Sequence, residues 1–236
     1  VEIGEVRVLE SVREGYRPLF DRAPGAKLSK GSPREGAQRG LEWLQQSALD
    51  WSTGGRNDCF GCHVHAQALM GQAVALERDY RVSMPAMRAL TDFMRKKQTP
   101  EGTLGSNHVR TSAVFAAMGF AYAAEAGGRT SDPELFKTID YVLRTQATDG
   151  SIAVEMSDPP VVQGAFMMTG NALVAFEWAA AHSKDPKYRQ AADHALGLPG
   201  ILGVLRVQPR DPRGRRANRA AGRLGRLFTL RAYAGD

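Results

Sequence analysis

Gln98-Thr99-Pro100-Glu101-Gly102-Thr103 and Gln146-Ala147-Thr148-Asp149-Gly150-Ser151 are two copies of one pattern, 48 residues apart. Each copy follows a charged, amphipathic segment and precedes a segment almost free of charge. The acidic residue favours a turn or a helix start, and the glycine allows a positive φ. Gln46, which lies 52 residues before Gln98, is interpreted as the glutamine of an earlier copy. A period near 50 residues is typical of an α-helical repeat array.

Charged and uncharged segments alternate along most of the chain. The uncharged segments are Cys59 to Leu76, Thr111 to Ala124 and Pro159 to Phe176. The charged segments are Gly36 to Leu49, Met84 to Lys97, Pro133 to Arg144 and Pro186 to Leu196. Helices that are apolar all round are buried, and amphipathic helices cover them. The alternation therefore predicts an all-α fold of about seven to eight helices, with inner and outer helices paired in two layers.

The Gln-x-x-Asp-Gly-Ser turns at the ends of outer helices, followed by Ala/Gly-rich inner helices, resemble the α/α-toroid repeats of squalene cyclases and protein prenyltransferases. The resemblance covers roughly Gly36 to Leu198 and implies a partial α/α-toroid, because about three and a half repeats are too few for a closed ring. The chain has no Asp-x-Asp-Asp motif, with which class II terpene cyclases protonate their substrate, and no prenyltransferase-type set of zinc ligands. The resemblance thus implies the scaffold without the activity.

The two cysteines of the chain, Cys59 and Cys62, lie three positions apart, and His63 follows directly. This is the attachment sequence of a c-type haem, with two thioether bonds from the cysteines and His63 as the proximal iron ligand. Side chains three positions apart at a helix start lie on one face and can reach the two vinyl groups of one porphyrin. The sequence therefore predicts one haem c.

Three other uses of the cysteine pair are weighed against the haem. A disulfide between Cys59 and Cys62 would close a small strained loop and leave His63 without a role. A thioredoxin-like redox pair belongs to a βαβ pattern, which the sequence lacks. A zinc site needs four ligands and would have to recruit a second pair from a distance, such as His65 and His108.

Repeat geometry suggests a second iron ligand. Successive inner helices of an array run side by side in the same direction, about 8 to 10 Å apart, so that their N-termini share one end of the molecule. His108, at the start of the second inner helix, is therefore the predicted distal ligand. The alternatives are a vacant distal position or a methionine, from Met70, Met84, Met87 and Met118. Arg56 and Arg110 flank the two histidines and are candidate partners of the haem propionates, solvated arginines being the other interpretation.

The net charge of +6 belongs to one end of the 236-residue chain. From Leu205 onward there are nine arginines and two aspartates, whereas the preceding residues have 22 basic and 23 acidic side chains. This predicts three regions: an N-terminal extension at 1–34, the toroid-like haem-binding domain at 35–198, and a basic extension at 199–236. The basic extension has no nucleic-acid-binding motif, and no run approaches the roughly 20 apolar residues of a membrane helix.

These features predict a mono-haem c-type cytochrome that transfers electrons, docked on other redox proteins or haem subunits, with the basic extension as a candidate docking segment. Covalent haem attachment in bacteria takes place outside the cytoplasm, so the expected location is periplasmic or extracellular, after signal removal. One rival is a haem enzyme of peroxide or oxygen chemistry, for which Asp58, Glu101 and His108 are the candidate acid–base residues. A terpenoid-cyclase-like scaffold and a structural assembly subunit are the other rivals.

Overall fold

The computed structural model describes residues 31–53, 62–105, 108–155 and 164–198. Over these ranges the protein is all-helical with no strand, which confirms the predicted fold class. The seven described helices are α1 (Pro33–Thr53), α2 (Cys62–Glu77), α3 (Met84–Lys96), α4 (Val109–Ala126), α5 (Pro133–Arg144), α6 (Ala165–His182) and α7 (Pro186–Leu196). The chain divides into two compact units at the Gly36–Ala37 bond, and α2 to α7 belong to the second.

None of the seven helices combines the length and the apolar character that crossing a membrane requires.

The outer helices α3, α5 and α7 begin in the same way. A side-chain oxygen of Ser83, Asp132 or Asp185 accepts a backbone N–H of the first turn, and a proline occupies one of the first two helical positions. Both features stabilise a helix start, because the first N–H groups have no partner within the helix. Each outer helix buries one face only, which in α3 consists of Met87, Leu90, Thr91 and Met94.

The inner helices α4 and α6 are buried nearly all round. Every residue from Thr111 to Ala121 is buried in α4, as is every residue from Ala172 to Ala179 in α6. The predicted Pro159 to Phe176 segment is displaced, since α6 starts at Ala165 and extends to His182. Burial thus follows the predicted alternation of uncharged and charged segments.

Each glutamine of the repeated pattern bonds to the outer helix of the following repeat. The Nε2 atom of Gln98 donates to the carbonyl oxygen of Glu134 at 2.7 Å and to Oγ1 of Thr138 at 2.6 Å. The Nε2 atom of Gln146 donates to the carbonyl oxygen of Ala191 at 3.0 Å. We call residues 98–104 and 146–152 the joints; each is closed by a single antiparallel bridge between its first and last residues.

The joint glycines have positive φ, as predicted, with values of 91° at Gly102 and 88° at Gly150. They also lie against the next outer helix. A Cβ atom on Gly102 would lie 2.3 Å from the carbonyl oxygen of Lys137, and one on Gly150 would lie 2.1 Å from that of His194. Only glycine satisfies both requirements, the backbone conformation and the close approach.

The interpretation of Gln46 as a joint glutamine is wrong. No glycine follows it within α1, so the helix continues past it and the Nε2 atom of Gln46 donates to Oδ1 of Asp50 at 2.8 Å. The neighbouring Gln45 makes the contact to the next repeat instead. Its Nε2 atom donates to the carbonyl oxygen of Ser83 at 3.1 Å and to Oε1 of Gln72 in α2 at 2.7 Å.

Helices α2 and α4 pack closely and run in the same direction. Near the start of α2, the Cα atom of Ala66 would lie 2.9 Å from a Cβ atom placed on Gly119. At the end of α2, Glu77 lies close enough to Tyr122 and Glu125 for mutual electrostatic effects. Burial raises the pKa of Tyr122, and the Glu77 carboxylate adds to this.

Glu77 is expected to make folding pH-dependent. Burial raises its pKa, which Arg78 opposes and Glu125 reinforces. The stability that its protonation confers is present in full below the ordinary carboxyl pKa and is lost as the pH rises through the raised folded value. At the last residue of α2, the carboxylate also faces the negative end of the helix dipole. We therefore expect Glu77→Gln to raise the free energy of unfolding by about 0.5 kcal/mol at pH 7, with almost no effect at pH 4.

Urea unfolding of Glu77→Gln and the parent chain at the two pH values measures this difference. Glu134→Gln is the control, because Glu134 lies in the first turn of α5, where its charge is favourable; this change should lower stability at pH 7. An equal gain from Glu77→Gln at both pH values would contradict the assignment.

Candidate functional site

Of the haem-attachment residues, His63 is the one whose side chain the structure describes. It is the second residue of α2 and is half-buried. Arg56 and Cys59 lie outside the described residues, as does the side chain of Cys62, the first residue of the helix. The predicted position of the motif, at the start of an inner helix, agrees with these bounds.

Helix α4 begins well before the level of His63. Ala66, which packs on Gly119, comes three residues after His63, whereas Gly119 comes eleven residues after His108. The eight-residue difference corresponds to roughly 12 Å along parallel helices at about 1.5 Å per residue. The first turns of α4, residues Val109 to Val114, therefore project past the start of α2. We call them the α4 ledge; they flank the space that a haem bound by His63 would occupy.

His108 lies at the outer end of this ledge. It is the N-cap residue of α4, its side chain makes no capping bond, and it is exposed to solvent. The two proposed iron ligands thus lie at the N-terminal ends of neighbouring, equally directed helices, as the repeat predicts. They are staggered along the helix direction rather than level, which the sequence did not show.

Arg110, Thr111 and Glu155 meet at the first turn of α4. An Nη1 hydrogen of Arg110 is donated to the carbonyl oxygen of Ala153 at 3.2 Å. The backbone N–H of Thr111 donates to Oε2 of Glu155 at 2.9 Å. Two further donors, Nε of Arg110 and Oγ1 of Thr111, are buried and have no hydrogen-bond partner. Arg110 forms no ion pair within the described part of the chain.

The residues that the structure describes do not support the zinc alternative. His65 is fully buried and its ring stacks on Phe93 with centroids 4.8 Å apart, in the interface of α2 with α3. His108 is exposed at the start of α4, so these two histidines do not form a pair. No group of three or more His, Cys, Asp or Glu side chains comes together within these ranges.

The methionine candidates differ in burial. Met87 and Met118 are each only 2% exposed and belong to the hydrophobic core. Met70 and Met84 are partly buried and pack against that core. Packing accounts for all four methionines, and His108 remains the more accessible candidate for the distal ligand.

Aromatic residues near the motif divide into exposed and buried ones. Trp43 and Trp51 of α1 are 70% and 42% exposed, whereas Phe115 of α4 is fully buried. His182, expected to be solvated, is half-buried and stacks on Trp178 with ring centroids 4.5 Å apart. Its position in the last turn of α6 explains this, because residues four apart on a helix are neighbours.

The acid–base candidates of the enzyme hypothesis do not converge in the described structure. Asp58 lies outside the described residues. Glu101 belongs to the first joint, where its side chain is exposed and a hydrogen bond from the Thr99 hydroxyl lowers its pKa. Its position in the joint gives Glu101 a role in the turn, and His108 is the remaining candidate.

Sequence reasoning missed Thr111 and Glu155. They are 44 residues apart, and neither belongs to a motif, so that only the fold brings them together. Arg110 was identified through its position next to the inner-helix start, which is a local signal.

No protein-family model, curated protein or solved structure matches this chain. The resemblance to α/α-toroid repeats therefore rests on the joints and on the alternation of inner and outer helices.

Proposed function

We propose that this protein is an extracytoplasmic mono-haem c-type cytochrome that transfers electrons as a domain or subunit of a larger redox assembly. The observation that carries the proposal is the Cys59-x-x-Cys62-His63 sequence at the start of an inner helix, with His63 half-buried in its first turn. A half-buried imidazole at a helix start can be reached by an iron, whereas a core histidine such as His65 cannot. The described residues thus fit the group.

A bound haem would supply a one-electron iron couple. In the proposed site Cys59 and Cys62 hold the porphyrin covalently, and His63 is the proximal ligand. His108 is the proposed distal ligand. Two imidazole ligands close the iron to substrates and keep its reduction potential low, which suits a carrier rather than an enzyme.

Location and partners follow from the same chemistry. Covalent attachment supports a periplasmic or extracellular setting, and a closed iron can act only by exchanging electrons with another redox protein. The basic segment 199–236, which lies outside the described residues, is the proposed docking segment for such a partner.

The deciding experiment is an absorption spectrum of the purified chain, oxidised and dithionite-reduced, with a pyridine haemochrome assay. The chain is produced in a host that attaches haem c. We expect a c-type haemochrome and six-coordinate, low-spin bands. The Cys59→Ser/Cys62→Ser double variant should contain no covalent haem.

His108→Ala should convert the spectrum from low-spin to high-spin. His194→Ala is the matched control, because His194 is equally classed as exposed but lies on α7. A high-spin spectrum in the parent chain would favour the haem enzyme instead. A parent chain without covalent haem would overturn the cytochrome proposal and leave the assembly-subunit hypothesis.

A further inference from the structure

We infer that the first turn of α4 is a carboxylate site that holds a haem propionate, with Arg110 and Thr111 as its side-chain donors. This rests on the proposed function, since it names what the α4 ledge does for a haem bound at His63.

The unpartnered hydroxyl of Thr111 is the first observation. Thr111 is 1% exposed, and its Oγ1 atom has no hydrogen-bond partner. Burying a hydroxyl without a partner costs free energy, so such groups in folded proteins usually mark a bound ligand or water. Valine has nearly the same shape and would avoid the cost, which means that the hydroxyl itself has a use.

Arg110 is the second observation. Its Nε atom is buried without a partner, and its guanidinium forms no ion pair among the described residues. A cation at a helix N-terminus faces the positive end of the helix dipole and is stabilised only when an anion joins it. Guanidinium groups bind carboxylates through two parallel N–H donors, and one such donor, Nε, is available here.

Glu155 already supplies one negative charge at this helix start, through its bond to the backbone N–H of Thr111 at 2.9 Å. It opposes a second carboxylate electrostatically, but it leaves the two side-chain donors unused. The first four residues of α6, from Ala165 to Met168, have no polar side chain. The donors of α4 are therefore not a requirement of the repeat, which supports a ligand specific to this helix start.

Haem propionates are the carboxylates that the proposed function brings to this place. The α4 ledge projects past the start of α2 by about two turns, so it flanks a haem bound at His63. Arg110 lies nearer to the level of His63 than His108 does, as expected of a residue that contacts the edge of the macrocycle rather than its iron.

The first test uses the haem-loaded chain and its midpoint potential. Arg110→Gln should lower the potential, because removing a cation beside a propionate favours the ferric state. Glu155→Gln should raise it. Arg144→Gln is the matched control and should leave the potential unchanged, since an Nη2 hydrogen of Arg144 is likewise donated to a backbone carbonyl, that of Glu101 at 3.3 Å. An unchanged potential in Arg110→Gln would overturn the inference.

The second test separates a hydrogen bond to the propionate from a general effect of charge. Thr111→Val should raise the melting temperature of the haem-free Cys59→Ser/Cys62→Ser chain, because it removes an unsatisfied hydroxyl. In the haem-loaded chain the same change should lower the melting temperature. Thr91→Val is the control, since the Thr91 hydroxyl is buried but donates to the carbonyl oxygen of Met87 at 2.8 Å, so both forms should lose stability.

If Thr111→Val shifts both forms in the same direction, the hydroxyl does not serve the haem and the inference fails. A parent chain that shows no haemochrome would instead overturn the proposed function, and that result is read before any variant is made.

Discussion

Gly150→Ala is expected to lower the free energy of unfolding by about 3 kcal/mol or more. Two penalties add at this position. The backbone has a φ of 88°, where an L side chain is strained by about 1 to 2 kcal/mol. The new Cβ atom would also lie 2.1 Å from the carbonyl oxygen of His194, so that α7 must move away from the second joint. Because that atom belongs to the backbone of a helix, no side-chain rotation can relieve the overlap.

Gly128→Ala is the matched control for Gly150→Ala. Gly128 has a φ of 65° but open space around its Cβ position, so alanine should cost only the conformational strain, about 1 kcal/mol. Gly102→Ala should behave like Gly150→Ala, because its Cβ atom would lie 2.3 Å from the carbonyl oxygen of Lys137. Denaturant unfolding followed by circular dichroism gives the three differences. Equal losses at Gly128 and Gly150 would show that the joint tolerates the added atom.

The second large effect is expected at Asp132, whose replacement by alanine should cost about 3 to 5 kcal/mol. Its carboxylate is 4% exposed and is ion-paired with Arg95 and, at 3.4 Å, with Arg129. It also accepts the backbone N–H of Leu135 at 3.2 Å and so caps α5. Alanine would remove the cap and leave the partly buried guanidinium of Arg95 without its buried partner.

Two further variants divide the Asp132 effect into its parts. Asp132→Asn keeps an oxygen for the cap but loses the charge, so it should lie between the parent and the alanine variant. Asp92→Ala removes the other carboxylate near Arg95, at 3.6 Å, whose side chain is 62% exposed, and it should change stability by no more than about 0.5 kcal/mol. Thermal and urea unfolding both measure these changes. A loss at Asp92 as large as that at Asp132 would show that burial does not decide the strength of the pairs.

Much of the fold could be predicted because its signals are local. Uncharged segments mark the inner helices α4 and α6, and the glycines of the joints mark the places where outer helices end. The prediction failed at Gln46, where a glutamine without a following glycine was interpreted as a joint. The helix continues there because it is the glycine, with its positive φ and its close approach to the next helix, that ends an outer helix.

The candidate site could be predicted only in part, for a related reason. Cys59, Cys62 and His63 lie within five consecutive residues, and their spacing alone indicates their chemistry. The contact of Thr111 with Glu155 depends on how the third repeat lies against the second, and no local pattern encodes it. The stagger of His63 and His108 likewise depends on a single small residue, Gly119, which sets how α4 packs on α2.

The joints recognise the next repeat almost entirely through its main chain. Gln98, Gln146 and the two joint glycines contact carbonyl oxygens of Glu134, Ala191, Lys137 and His194. Every amino acid presents the same carbonyl group, so the outward side chains of an outer helix can diverge without loss of the contact. A duplicated helix pair would therefore fit onto its parent immediately after duplication and could then drift in sequence. Arrays of this kind can change length during evolution while keeping one inner helix for a specialised task.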